Sequence, residues 1–244
     1  MIVKRTSAPA TDPMPGWKRM LDLACCLPAM PLLGLCTAVM VVVTKTCARG
    51  PIFFRQERVG QGGQRFFLYK FRTMTVGADT SVHQAYFSQL MTSAVPMQKM
   101  DARRDARLIP GGWLLRASGF DELPQIVNIL RGEMSLVGPR PCLPYEYERY
   151  LPWQRRRFDA TPGLTGLWQV SGKNRTTFDR MMHLDITYSR RKSFWLDQWI
   201  LLMTPRAILI QIIDTRRGRR SAAAAAAAAA APEPALASPC PSAK

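Results

Sequence analysis

Histidine is almost missing from this chain, with only His83 and His183 among 244 residues. Both have polar neighbours, which argues against a Ser-His-Asp triad or a histidine-rich metal centre. There is no C-x-x-C pair either. The six cysteines are Cys25, Cys26, Cys36, Cys47, Cys142 and Cys240. Four lie in or beside one apolar segment and one lies near the C-terminus, a pattern that excludes a disulfide framework and a zinc ligand set and suits a reducing compartment. Acidic residues are scarce: 17 Asp and Glu face 34 Lys and Arg, a formal net charge of +17. An excess of that size points to anionic partners, whether nucleic acid, acidic lipid head groups or phosphorylated small molecules.

A chain of this length, 47% hydrophobic, can bury a proper core as one large domain or two small ones. The C-terminal stretch is different. From Ser221 it reads SAAAAAAAAAAPEPALASPCPSAK, with no amphipathic face, and it is expected to be dispensable and mostly unstructured.

The longest apolar run is Leu21–Val43, LDLACCLPAMPLLGLCTAVMVVV, in which Asp22 is the only charge. As one helix it covers ~35 Å, enough to cross a hydrocarbon core of ~30 Å. Pro28, Pro31 and Gly34 interrupt it, and basic residues flank both ends: Lys18 and Arg19 before, Lys45 and Arg49 after. The positive-inside rule therefore gives no orientation. A kinked span, a re-entrant dip with both ends in the cytosol, a signal segment and a buried core helix all remain open on this pattern. A second apolar stretch, Phe194–Asp214, is broken by Trp195, Asp197, Trp199, Arg206 and Gln211, which suits a helix lying at a membrane interface. The TRRGRR that follows fits either an anionic leaflet or a solvated charge run.

Between these segments lies a different kind of sequence. PIFFRQERVGQGGQRFFLYKFRTM predicts a β-hairpin that turns at Gly60, Gly62 and Gly63; a phosphate-binding loop is the alternative, but no helix signal follows it. Lys70 and Arg72, separated by Phe71, are expected on one side of the returning strand. Residues 75–105 predict an irregular excursion with a short helical pattern around Gln84–Met91. In SGFDELPQIVNILRGEMSLVGPRP, Ser118 is expected to cap a helix that carries Pro124 in its first turn and ends at Gly132. Leu123, Ile126, Val127 and Leu130 would form its buried stripe. Asp121 and Glu122 would then sit at the positive end of the helix dipole, where acidic residues are commonplace as capping groups. Arg116 stands before them and Arg140 follows between two prolines. TPGLTGLWQVSGKNR adds Gln169, Lys173 and Arg175 in a turn-rich segment. Rigid loops bearing cations beside a helix terminus make good polyphosphate sites.

The markers KRMLD, GPIFFRQERVG, YKFRTM, DELPQIVNILRGEMSLVGPRP and PGLTGLWQVSGKNR, in this order, resemble the bacterial sugar transferases, the monotopic polyprenyl-phosphate phosphoglycosyl transferases. The likeness runs from about Lys18 to Ile212, and the sequence beyond Arg220 has no counterpart in it. It implies transfer of a sugar 1-phosphate from a UDP-sugar to undecaprenyl phosphate, with release of UMP and a need for Mg2+. Glucose or galactose 1-phosphate is the expected group, with an N-acetylated sugar as the alternative. The resemblance makes Asp121 the nucleophile and Glu122 its partner, both near the metal. Lys70, Arg72, Arg116, Arg140, Gln169, Lys173 and Arg175 are the matching candidates for phosphate and nucleotide contacts. It also implies a re-entrant helix broken by Ser-Pro. Here Gly34–Leu35 occupies that place and the prolines come earlier, so the break is expected nearer the N-terminus or made differently.

The fold expected is α+β. It comprises an N-terminal tail (1–16), a re-entrant membrane helix with its connection (17–49), a small catalytic domain facing the cytosol (50–214) and a basic, Ala/Pro-rich tail (215–244). The domain would hold the hairpin and several helices, some of them amphipathic at the interface of the cytoplasmic membrane. Its partners would be UDP-sugar, undecaprenyl phosphate and anionic inner-membrane lipids, with a second copy of the chain as a further candidate and no nucleic acid. A nucleic-acid module leaves the apolar segment unused, and a non-enzymatic scaffold leaves the Asp-Glu pair idle.

Overall fold

The computed structural model describes residues 13–46, 50–75, 89–91 and 107–229, with the side chains of 174 and 218–229 left out. The expected excursion at 75–105 lies outside these residues, apart from its edge at Thr75 and the helical Gln89–Met91, as does most of the N-terminal tail.

Helix α1 (Gly16–Thr46) is continuous through Pro28 and Pro31, so neither proline interrupts it as expected. Proline removes one backbone donor and crowds the preceding turn, yet helices in apolar surroundings accommodate it by local adjustment. One stripe of α1 is buried: Lys18, Asp22, Cys26, Leu33, Met40 and Thr44. The opposite side exposes Met20, Leu27, Leu32, Leu35, Val39 and Val42.

The predicted hairpin is present. β1 (Phe53–Val59) and β2 (Arg65–Phe71) pair antiparallel, with Phe54 opposite Lys70 and Arg58 opposite Phe66. Gly62 and Gly63 take positive φ values of 62° and 77° in the turn, which glycine adopts without a Cβ penalty.

The acidic stretch departs from expectation. Ser118 does not cap the following helix; it is the last residue of α2 (Gly112–Ser118), and its hydroxyl donates back to the carbonyls of Leu114 and Leu115. Gly119, at φ 80°, ends that helix. Phe120–Glu122 forms a 3-10 turn, and α3 is confined to Gln125–Leu130. The expected helix is therefore shortened to a 3-10 turn followed by α3, while Gly119, in the left-handed conformation, stops the separate helix α2 ahead of it. Gly132, at φ 81°, ends the segment as predicted. The buried side of α3 is carried by Ile126 and Ile129, with Leu123, Val127 and Leu130 packed more openly around them.

Beyond it, β3 (Ser135–Val137) pairs in parallel with β4 (Gly163–Thr165), a contact unseen in the sequence. Between them runs α4 (Pro144–Arg149), and after them come α5 (Leu167–Val170), α6 (Phe178–Arg191) and α7 (Phe194–Ala229). α7 continues through TRRGRR into the alanine tract as far as Ala229, so the expectation of a mostly unstructured chain from Ser221 does not hold for Ser221–Ala229, and the rest of that segment lies outside the described residues. Alanine has the highest helix propensity, so the tract extends an existing helix even without a face to bury.

One apolar cluster joins Cys26, Leu33 and Met40 of α1 to Leu68 and Phe71 of β2 and to Ile109, Ile126, Ile129 and Met134. A polar clamp holds the start of α1. Arg19 donates to the carbonyls of Ile129 and Leu130; Asp22 accepts from the Ser135 hydroxyl at 2.9 Å and the Leu136 N–H at 2.8 Å; and Lys18 pairs with Asp197 and donates to Tyr188. The basic residues that precede the apolar run are therefore structural contacts to the domain, and Lys18 is buried.

Candidate active site

A cleft opens where the hairpin, the acidic turn and the glycine-rich loops meet. Its lining includes Arg58, Lys70, Glu122, Gln125, Arg140 and Gln169. Cross-strand register explains part of the set, since Arg58, Leu68 and Lys70 project from one face of the hairpin. Asn128, fully buried on α3, fixes how that hairpin meets the acidic turn. Its amide donates to the Phe67 carbonyl at 2.7 Å and accepts from the Tyr69 N–H at 3.2 Å.

Lys70 reaches Glu122, with Nζ 2.7 Å from Oε1. Burial alone would raise the Glu122 pKa. Lys70, Arg140 and Lys173 outweigh it and hold this carboxyl well below the usual carboxylate range. Asp121, next in the chain, is only 7% exposed and does not line the cleft.

Glycine brings the two loops together. A Cβ on Gly138 would lie 2.3 Å from the Thr161 carbonyl oxygen, and one on Gly163 would lie 2.0 Å from the Gly138 nitrogen. Backbones can approach this closely only without side chains. That contact carries Arg140, two residues beyond Gly138, to the same cleft as Gln169 beyond Gly166. A buried ion pair backs the arrangement: Arg157 binds Asp185 and donates to the Arg140 carbonyl at 2.8 Å.

The remaining sequence candidates do not line the cleft. Arg72 is buried and donates to the backbone carbonyls of Pro51 and Met74, which makes it a brace for the end of the hairpin. Lys70 and Arg72 therefore do not share the cleft, because Arg72 lies just past the end of β2. Arg116 sits at the end of α2, and its carbonyl accepts from Gln211. Lys173 donates to Gln211 at 2.6 Å, and Arg175 pairs with Asp214 at 3.1 Å, so both turn toward α7.

Arg58 and Gln125 are cleft residues that the sequence reading missed. Arg58 had a legible signal, its place four residues along β1 from Phe54, the cross-strand partner of Lys70, and so on the same face as Lys70. Burial first, then the neighbouring Arg140, pushes its pKa down to about 10. Its Nε is buried without a partner, as is Oε1 of Gln169, which is 8% exposed. The cleft thus offers cations for an anion, one carboxylate paired with Lys70, and an unused donor and acceptor suited to a polar ligand. No group of three or more His, Cys, Asp or Glu able to hold a metal exists among the described residues.

A profile of the family described as bacterial sugar transferase matches residues 14–211. The chain is 39% identical over 194 residues to galactosyl transferase CpsE of Streptococcus agalactiae, with 79% of this chain and 42% of that protein aligned. It is 37% identical to an uncharacterized sugar transferase, EpsL, of Bacillus subtilis, covering 79% of this chain and 87% of EpsL. Against the UDP-glucose:undecaprenyl-phosphate glucose-1-phosphate transferase of Xanthomonas campestris the identity is 36%, over 76% of this chain and 37% of that protein. The chain spans about two fifths of the longer relatives and most of the shorter one.

Proposed function

We propose, because this chain belongs to the bacterial sugar transferase family, that it moves a sugar 1-phosphate from a UDP-sugar to undecaprenyl phosphate and releases UMP. The carrying observation is the cleft in which Arg58, Lys70 and Arg140 gather around Glu122, with Asp121 adjacent in the chain. Cations in a partly dry cleft neutralise diphosphate oxygens that would otherwise repel an approaching carboxylate. Asp121 attacks the sugar-bearing phosphorus; the new bond is an acyl phosphate, and the bond to UMP breaks with its electron pair leaving on UMP. A phosphate oxygen of the lipid then attacks the same phosphorus and returns the carboxylate.

The donor set fits Mg2+, which is commonly held by one or two carboxylates together with substrate phosphates. Asp121 and Glu122 would hold it, and it would supply charge neutralisation on the diphosphate. Glucose or galactose 1-phosphate is the proposed group, in keeping with the names of the relatives, as the priming step of a surface glycan such as an exopolysaccharide. The proposed place is the inner face of the bacterial cytoplasmic membrane. Both α1 and residues Phe194–Arg217 are long and apolar enough to cross a membrane. Two features of α1 favour instead both of its ends lying on the cytosolic side. Its start is clamped to α3 and β3, and its later residues Met40 and Val43 share the apolar cluster with Ile52 and Phe71.

One observation favours a second assignment of roles: Glu122 lines the cleft and Asp121 does not. On that reading Glu122 attacks and Asp121 supports it. One experiment separates the two. Full-length protein is mixed with UDP-sugar, labelled UMP and Mg2+, without lipid phosphate, and the trapped phosphosugar peptide is located by mass spectrometry. Label should return to UDP-sugar, Asp121→Asn should abolish that exchange, and the adduct should map to Asp121. An adduct on Glu122 reverses the roles; exchange that requires undecaprenyl phosphate overturns the two-step route.

A further inference from the structure

The described part of α7 has two unlike faces. Trp195, Trp199, Leu202, Leu209 and Ile213 are exposed on one. On the other, Asp197 accepts from Tyr188 of α6, Thr204 bonds Thr165 of β4, and Gln211 and Asp214 bond Lys173 and Arg175 of one loop. Gln211 alone among these four touches two segments beside the proposed site. Its Oε1 accepts from Lys173 Nζ at 2.6 Å, while its Nε2 lies within donating distance of the carbonyls of Arg116, at 3.3 Å, and Ala117, at 3.4 Å. Those carbonyls end α2, four to five residues before Asp121. Lys173 is the only described non-glycine residue with positive φ, at 36°, a conformation that persists where surrounding contacts impose it. The charge-assisted bond to Gln211 is such a contact. Lys173 is also one of the cations that act on Glu122.

We infer that Gln211 is a positioning residue, one amide that ties the Lys173 loop to the end of α2, the helix that leads into the turn carrying Asp121 and Glu122, and so sets the distance of the Lys173 charge from the proposed site. This rests on the proposed transfer reaction for its kinetic part and on the geometry alone for its structural part. A side chain that merely filled space there would be replaceable by methionine, which keeps the volume and loses both hydrogen-bonding ends.

The full-length protein is therefore assayed in two ways. The first is UMP release from UDP-glucose with undecaprenyl phosphate. Gln211→Met should lower kcat at least tenfold with little change in the KM for UDP-glucose, and Lys173→Met should do the same. The double variant should be no worse than Lys173→Met alone, because that change already removes the link that Gln211 makes to the loop. Effects that multiply, or a Gln211→Met kcat within twofold of wild type, overturn the inference. The second is amide hydrogen exchange read by mass spectrometry, which needs no activity. Gln211→Met should speed exchange in both the 116–122 and the 172–176 segments. Gln211→Glu, which keeps the acceptor for Lys173 but faces the two carbonyls with no donor, should speed only the first. If Gln211→Met is too unstable to assay, Gln211→Glu decides by that split, and unchanged exchange in both segments overturns the link. A wild-type protein without transferase activity but with the expected exchange pattern would refute the proposed reaction and leave the link standing.

Discussion

Glu122 shows how a single ionisable side chain can be set by its surroundings. Burial disfavours its charge, yet Lys70, Arg140 and Lys173 keep it ionised and depress its pKa in the folded protein. For a carboxyl depressed on folding, the stabilisation is fully present above the unfolded value of ~4.3 and is lost as pH falls through the folded one. The denaturant midpoints of wild type and Glu122→Gln should thus differ by a constant amount from about pH 8 to 5 and converge at lower pH. A gap that widens on acidification contradicts this account. The adjacent Asp121 has a different environment, almost closed to solvent, and the two carboxylates can therefore hold different roles although they are neighbours in sequence.

The short parallel pair β3–β4 is the element on which the cleft depends. It is only three residues long on each side, and its stability comes from backbone contact at Gly138, Gly163 and Gly166. Gly163→Ala places a methyl group 2.0 Å from the Gly138 nitrogen and 2.5 Å from the Thr165 carbonyl oxygen. Neither backbone atom can turn aside, so the strands must part. Gly132→Ala is the control, since its φ of 81° strains alanine but nothing lies within 4 Å of the new methyl. Thermal unfolding should show about 1 kcal/mol lost in Gly132→Ala and about 3 kcal/mol or more in Gly163→Ala. Equal losses would mean that the close approach is not what holds the loops together.

At the scale of the whole molecule, α1 packs against the body, and most of the exposed large apolar side chains lie on α1 and α7, with others on the hairpin and beside α2. A helix of 31 residues is ~46 Å long, longer than the hydrocarbon core is thick. Were it to span, its far end would be separated from the domain by the bilayer, whereas its buried stripe continues to Met40 and Thr44. Single cysteines at Gly16 and Lys45, both exposed, in an otherwise cysteine-free chain test the arrangement. Neither should react with an impermeant thiol reagent in intact cells, and both should react once the membrane is opened. Reaction of one of them from outside restores the span. Lys18 is unsuitable for such a probe because it is buried against Asp197 and Tyr188.

The sequence by itself determined the pieces whose causes are local. The hairpin followed from aromatic and β-branched runs around Gly60–Gly63, the end of the acidic segment from Gly132, and a helix long and apolar enough to cross a membrane from an uncharged run after Asp22. The ordered markers carried the family, and one of the paired carboxylates, Glu122, lies in the cleft. What tertiary structure decided depends on contacts between residues far apart in the chain. Arg72 and Lys70 carry the same charge two positions apart, but the end of β2 sends one to a backbone brace and the other to Glu122. Arg58, Asn128 and Arg157 matter through partners 61 to 83 and 17 to 28 residues away, as in the bonds to Pro141, Phe67, Arg140 and Asp185. Lys18 and Arg19 read as a basic membrane flank until the fold bonded both to the domain and buried Lys18. Propensity and periodicity sense only neighbours along the chain, whereas burial and charge pairing are fixed by whatever the fold brings alongside.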